Sequence, residues 1–434
     1  MNFKALLKSK ETKNAGWLIG GRIVQMVVSL LVGILTARYL GPANYGLINY
    51  GAAYVSFFSA LCTLGLNSVI IKDFVDHPDE QGEALGSSLL MRFVSSILSV
   101  FIILGVVLFA DNGEPTTIAV VALCSVGSVF HIFELFNYWF QYQYQSKITA
   151  ITTLIAYIVT SLYKIVLLIL QKNVFWFAFA TSVDYITVAV LLLVAYQKYN
   201  GNKIKFSYKK SKSLITLSKH YILSSLAVSI YGQTDKLMLK QMLGESEVGY
   251  YATATAICAM WTFILQAIID SIYPTILRLK NQDALAYENK NRQLYAIVFY
   301  VSGIVSLFFL IFGKLVIKVL YGDDFLPAVN ILRIVTWYTA FSFLGVARNA
   351  WIVSEGHQKY LKYIYGCAAI INVILNLFFI RLWGGCGAAV ASLITQIFTS
   401  IVLPMFIRDL RPNAKLMLEA ILLKDVFNKS NSQI

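Results

Sequence analysis

Apolar runs of roughly 18 residues or more recur along this chain, and a run of that length reads as a helix crossing a bilayer. Twelve spans can be drawn: 16–38, 47–71, 84–109, 116–140, 148–170, 174–197, 214–238, 248–273, 294–317, 327–353, 360–382 and 385–407. Breakers separate them, among them Gly41-Pro42, Asn112-Gly113-Glu114-Pro115 and Asn200-Gly201-Asn202. The runs are continuous rather than alternating, which favours helices over a β-barrel. The chain is 58% apolar and only 13% charged, where a soluble domain is about 45–50% and about 25%. So few charges could not cover a soluble protein of 434 residues. The run from Gly16 to Tyr39 is too long for a cleavable signal and lacks a small-residue cleavage site, so it is expected to stay as the first span. The pattern is that of an all-α integral membrane protein with almost no room for a soluble domain.

A net charge of +14 would suggest nucleic acid as a partner in a soluble chain. Here the distribution of Lys and Arg gives a different reason. With the N-terminus inside, the cytoplasmic segments hold 23 of these residues, six of them lysines between Lys198 and Lys212. The outer segments hold five: Arg38, Lys172, Lys240, Lys318 and Arg381. That asymmetry puts both termini in the cytoplasm, and no nucleic acid is expected. Five scattered cysteines (Cys62, Cys124, Cys258, Cys367 and Cys386) form no CxxC. They read as small packing residues rather than disulfides or metal ligands.

The chain also repeats itself. Leu40-Gly41-Pro42-Ala43-Asn44-Tyr45-Gly46 and Leu243-Gly244-Glu245-Ser246-Glu247-Val248-Gly249 are both LGxxxxG, at an offset of 203. Each joins the first two spans of a six-span half on the outer side. Six is even, so both halves insert the same way. The expected fold is therefore about 12 transmembrane helices in two six-helix lobes related by a pseudo-two-fold along the membrane normal, an arrangement that places a substrate site between lobes. The expected divisions are a first lobe at 1–197, a basic cytoplasmic linker at 198–213, a second lobe at 214–407 and a cytoplasmic amphipathic tail at 408–434. Within the tail, Leu416, Met417, Ala420, Leu423 and Phe427 share one helical face, which suits a helix lying on the membrane surface or one docked on the protein. Pro274 and Pro327 read as span boundaries, and Pro404 as a kink in the last span.

At this point the residues resemble a known family. The segment from Ala37 to Gly46 is similar to the opening signature of the Wzx-like polysaccharide-biosynthesis flippases. These belong to the superfamily of multidrug, oligosaccharidyl-lipid and polysaccharide exporters, whose fold is MATE-like. Asp235-Lys236-Leu237-Met238-Leu239 followed by Val248-Gly249-Tyr250-Tyr251 looks like the seventh-span signature. Tyr321-Gly322, Phe325 to Ala328, Asn372 to Asn376 and Gly384 to Ala389 are similar to the second-half pattern. The resemblance implies alternating-access transport of polyprenyl-pyrophosphate-linked oligosaccharide units across the bacterial inner membrane, for O-antigen, capsular or exopolysaccharide synthesis. It further implies membrane lipid and a polysaccharide polymerase as partners, H+ or Na+ as coupling ion, no cofactor, and a monomer. It does not identify the glycan.

Ionisable groups inside a span cost at least about 2.5–3.5 kcal/mol, so each needs a wet cavity or a partner. Arg92 lies about eight residues into the third span, roughly 12 Å from its end at 1.5 Å per residue, too deep for easy snorkelling. Arg92, Arg348, Lys164 and Arg22 are the candidates for the pyrophosphate, since an arginine fork donates paired hydrogen bonds to phosphate oxygens. Asp184, Glu134 and Asp270 are the candidates for ion coupling. Helix-locking ion pairs among these same residues are the plainer alternative. Asp235 and Lys236, near the outer edge, read as a local structural feature. His131 and Glu134 make at most half a metal site. The aromatic and amide residues from Asn137 to Tyr144 suit either an interfacial belt or a sugar contact, and the belt is the simpler.

An enzyme would need a large outer loop carrying acid and base groups. Every outer connection is short, and the nearest acidic pair, Asp323-Asp324, precedes the bend at Pro327. A Walker lysine motif is also absent. A drug or cation antiporter of the same superfamily would favour carboxylates in its cavity, whereas bases outnumber acids in these spans. A non-transporting scaffold would leave the buried charges without a purpose.

Overall fold

The computed structural model describes residues 10–199 and 201–424, the side chains of 10–24, 220, 223 and 224 excepted. Every regular element among them is helical. The first half comprises α1 (Lys10–Thr63), α2 (Ile70–Asp76), α3 (Gln81–Ala110), α4 (Pro115–Val126), α5 (Leu135–Tyr142), α6 (Ser146–Ile169) and α7 (Val174–Lys198). A 3-10 helix, Gly127–Glu134, joins α4 to α5 within the fourth span. The second comprises α8 (Tyr208–Leu243), α9 (Glu245–Lys280), α10 (Ala284–Tyr321), α11 (Ala328–Ser354), α12 (Leu361–Ile397), α13 (Leu403–Phe406) and α14 (Arg411–Ile421). Among the described residues nine helical stretches are long and apolar enough to cross a membrane. Two of these, Gln25–Thr63 and Gln358–Phe406, are each divided by a glycine with non-helical torsions, Gly41 and Gly384. With α8, which is 36 residues long, these make twelve helical segments, consistent with the expected arrangement of about 12 spans.

The repeated LGxxxxG has a physical meaning. Gly41 sits at φ 70°, ψ 172° and Gly244 at φ 97°, ψ −178°, the same extended, positive-φ conformation that is essentially restricted to glycine. A Cβ at either position would meet nothing within 4 Å, so backbone conformation rather than space demands the glycine. Each copy turns the chain from one span into the next without a loop. Pro42 then sits where a helix start tolerates the missing N–H.

The chain divides into two compact units, Met1–Gln233 and Thr234–Ile434, so the division falls inside α8. In the first unit, α1 packs on α3, α4, α6 and α7, and α4 and α6 each pack on α7. In the second, α11 packs against α9, α10 and α12. The helix interfaces carry buried small polar residues, including Ser87, Ser88, Ser96, Ser99, Ser125 and Ser182, which let backbones approach closely in a bilayer.

The basic segment between α7 and α8 is strapped to the first unit rather than left as a loose tether. Lys205 N donates to the Gly82 carbonyl at 3.0 Å, and Ser207 N donates to Ser87 Oγ at 3.0 Å. Gly82 and Gly86 make the groove: a Cβ on either would lie 2.2 Å from a carbonyl oxygen of Lys203 or Lys205. Lys210 closes the strap with ion pairs to Asp73 at 3.0 Å and Glu80 at 2.7 Å.

Three sequence expectations resolve here. The tail helix α14 docks on α10, burying Leu416, Met417 and Ala420 against Leu294 and Tyr295. Arg292 fixes it with two bonds to Glu419 Oε2, at 3.0 and 2.8 Å. Phe427 lies outside the described residues. Pro274 does not end its span: it lies inside α9, which runs on to Lys280. Trp139 and Phe140 are neither belt nor sugar contact, because both are buried with Phe74, Phe136 and Tyr196, and the Trp139 indole donates to Gln81 Oε1 at 3.1 Å.

Candidate functional site

In the first unit the candidate residues converge from four spans. Arg92 on α3 is 1% exposed. Its Nε donates to the carbonyl of Thr63, the last residue of α1, at 3.2 Å, and its Nη2 donates to Asn67 Oδ1. A second α3 residue, Ser95, donates to the Leu61 carbonyl at 2.6 Å. Helix ends leave their last carbonyls without intrahelical donors, so α3 caps α1 through both side chains. Nη1 of Arg92 is left buried and without a partner among the described residues.

Glu134 ends the 3-10 helix and pairs with His131 Nε2 at 3.2 Å. In that helix type, residues three apart eclipse one another, which is why an HxxE spacing closes into a pair here. The His131 ring rests edge-on against Tyr185, with centroids 5.0 Å apart. On α6, Thr160 donates to Asp184 Oδ1 of α7 at 3.3 Å. Lys164 lies one turn beyond Thr160 on the same helix face, without an ion pair among the described residues.

The second unit holds Arg348 on α11, also buried. Its Nη1 donates to the Thr399 carbonyl and its Nη2 to Asn349 Oδ1 at 3.0 Å. Thr399 lies in a π turn, Phe398–Val402, in which Leu403 N donates to the Phe398 carbonyl. The next donor along the turn would be residue 404, and Pro404 has no N–H. The Thr399 carbonyl is thus orphaned by the sequence itself, and Arg348 fills the gap. Asp270 is exposed on α9 and accepts from Gln266 at 2.9 Å. The Arg22 side chain lies outside the described residues.

The centre that sequence reading passed over is Asp235. It is buried, and its oxygens accept from Asn376 Nδ2 at 2.7 Å, Ser392 Oγ at 2.6 Å and the Tyr251 hydroxyl. Asn376 Nδ2 also donates to Asn372 Oδ1 at 3.1 Å, while Asn376 Oδ1 is buried and unpartnered. A buried carboxylate ringed by hydroxyl and amide groups, with a spare amide oxygen beside it, has the chemistry to take up a proton or a small monovalent cation. No cluster of three or more His, Cys, Asp or Glu suited to a metal ion occurs among the described residues.

The sequence matches the family model described as Polysaccharide biosynthesis protein over residues 12–280. It is 22% identical over 424 residues to the "Putative O-antigen transporter" of Shigella flexneri, covering 90% of this chain and 96% of that protein. Among solved structures it is similar to the lipid II flippase MurJ in an inward closed conformation. That match has a TM-score of 0.72 and 15% identity, over 94% of this chain and 91% of the other. It is also similar to an inward-facing multidrug resistance transporter of the MATE family, with a TM-score of 0.70 and 16% identity, over 89% of this chain and 95% of the other. At such identities the structural likeness speaks for the fold.

Proposed function

The chain belongs to the polysaccharide biosynthesis protein family, and from that premise we propose that it is a flippase for polyprenyl-pyrophosphate-linked oligosaccharide units. It is a multi-pass membrane transporter and not an enzyme, serving O-antigen, capsular or exopolysaccharide assembly. The observation that carries the substrate assignment is the state of its buried bases. Arg92 and Arg348 are hydrogen-bonded to carbonyl and amide oxygens and form no ion pair with a carboxylate among the described residues; Glu134 acts on Arg92 through charge alone. Each arginine also keeps one buried donor without a partner, Nη1 of Arg92 and Nε of Arg348. A buried charge left uncompensated is costly, and a pyrophosphate would compensate it.

In this reading Arg92, Arg348, Lys164 and Arg22 receive the pyrophosphate during the transport cycle, while the lipid tail stays in the bilayer. Ion coupling by H+ or Na+ falls first to Asp235, ahead of Asp184 and Glu134; the exposed Asp270 is the weakest candidate. The Lys and Arg asymmetry supports cytoplasmic termini, in an inner membrane where a polymerase takes the unit delivered. A cation antiporter is the poorer reading, because the buried bases would repel a cationic drug. Reconstituted translocation of a lipid-linked glycan tests the proposal.

A further inference from the structure

Between α3 and the start of α8, within the first unit, lies a crevice of about 620 Å3, in the size range of small-ligand sites. One wall is the apolar strip Leu90, Val94 and Leu98 of α3, and the other carries Lys212, Ile215 and Thr216 of α8. Leu90 to Leu98 spans eight residues, roughly 12 Å at 1.5 Å per residue, so the crevice runs along the helices. Its walls are open to the bilayer: Leu90, Val94, Leu98 and Ile215 are 42–55% exposed.

The polar features gather at the end where the strap arrives. Lys212 lines the crevice and has no ion pair or side-chain hydrogen bond among the described residues. The other lining residue types are apolar or hydroxylic, so this ammonium has no carboxylate across from it. Lys203, Lys205 and Lys209 are exposed on the same segment, interleaved with exposed Ile204, Phe206 and Tyr208. Lysines alternating with aromatic and aliphatic side chains suit the headgroup layer of a membrane. Lys210, by contrast, is already neutralised by Asp73 and Glu80.

We propose that this crevice binds one anionic glycerophospholipid of the surrounding bilayer. Its phosphate sits on Lys212 and one acyl chain lies along Leu90, Val94, Leu98 and Ile215. A single lysine beside an apolar channel matches a phosphodiester with a chain attached. The lipid would glue the strap and α8 to α3, and the site is independent of the transported substrate.

The test uses the full chain, purified in detergent and delipidated, then titrated with phosphatidylglycerol or phosphatidylcholine and read by native mass spectrometry. One phosphatidylglycerol should bind ahead of phosphatidylcholine. Lys212→Ala should weaken it about fivefold, the factor that corresponds to ~1 kcal/mol per surface lysine. Val94→Trp, which fills the crevice without changing charge, should also displace it, while Lys424→Ala should do nothing. Equal binding of the two lipids, or equal losses from Lys212→Ala and Lys424→Ala, would overturn the proposal. So would competition by glycerol phosphate, which lacks chains and would mark a plain anion site. Displacement by sub-stoichiometric undecaprenyl phosphate would reassign the crevice to an isoprenoid and equally refute it.

Discussion

Asn376 Nδ2 on α12 donates to Asp235 Oδ1 on α8 at 2.7 Å, joining residues 141 apart in sequence. The bond matters because Asp235 forms no ion pair among the described residues: its hydrogen bonds come from neutral donors on α9 and α12, and the neighbouring Lys236 acts on it through charge alone. Its charge is therefore stabilised by geometry and can be offset by an arriving cation. Asp235→Asn keeps the shape and removes the charge. Transport by this variant should fall at least about tenfold and lose its dependence on an imposed proton or sodium gradient, by analogy with the cost of removing one essential electrostatic group. Gradient dependence that survives Asp235→Asn would move coupling to Asp184 or Glu134.

The same network makes a stability prediction. Tyr251→Phe removes one donor to a buried carboxylate and should cost about 1.5–3 kcal/mol, the range for hydrogen bonds to charged groups. Thermal unfolding in detergent measures it. A variant as stable as wild type would mean that the carboxylate is carried by its other donors alone.

Arg348 and Pro404 should be coupled. Arg348→Ala exposes the orphaned Thr399 carbonyl, and Pro404→Ala returns a backbone N–H to the turn beside it. The double variant should be less destabilised than the sum of the singles by about 1 kcal/mol, a coupling typical of groups in one network. Strict additivity would show that Arg348 is not there for the π turn.

The strap can be lifted by one methyl group. In Gly86→Ala the new Cβ meets the Lys205 carbonyl oxygen at 2.2 Å and its carbon at 2.7 Å, and backbone must move. Trypsin should then cleave after Lys203 and Lys205 several times faster. Gly105→Ala meets nothing within 4 Å and should be neutral or stabilising by up to ~1 kcal/mol. Equal proteolysis of the two variants would contradict the docked strap.

The strap also has a pH signature. Hydrogen bonding to Lys210, and then its charge, hold the Glu80 carboxyl below its ordinary 4.5. Burial pulls Lys210 down, yet its hydrogen bonds to Glu80 and Asp73 outweigh that and leave it above 10.5. Glu80's share is present above 4.5 and lost as pH falls through its lowered folded value. Lys210's share is present below 10.5 and lost as pH rises through its raised value. Spin labels on Asp79→Cys and Lys209→Cys should report one narrow distance from roughly pH 5 to 10, broadening in acid below that window. Broadening near neutrality would assign the anchor to another group.

Much of this was legible in the chain because the constraints are local. A span needs length and apolarity, and the positive-φ break at Gly41 and Gly244 needs a glycine, so both leave a mark in one dimension. The Asp235 centre left a fainter one. Asn372 and Asn376 stand one turn apart on one face of an apolar span, which asks for a polar partner, but nothing in the sequence says that α8 provides it. Similarly, Gly82 and Gly86 form a small-residue stripe whose occupant, the strap, is more than 100 residues away. Pro404 was visible as a kink; that the kink is a π turn held by Arg348 is a property of packing.

Translocation itself can be measured directly. Purified protein would be reconstituted into proteoliposomes with a polyprenyl-pyrophosphate oligosaccharide, and a membrane-impermeant reagent would score the exposed glycan with time. Transfer should depend on an ion gradient, and Lys164→Ala, whose cation caps no helix, should slow it while the protein stays folded. No transfer above protein-free vesicles, with and without a gradient and across several glycans, would contradict the flippase assignment.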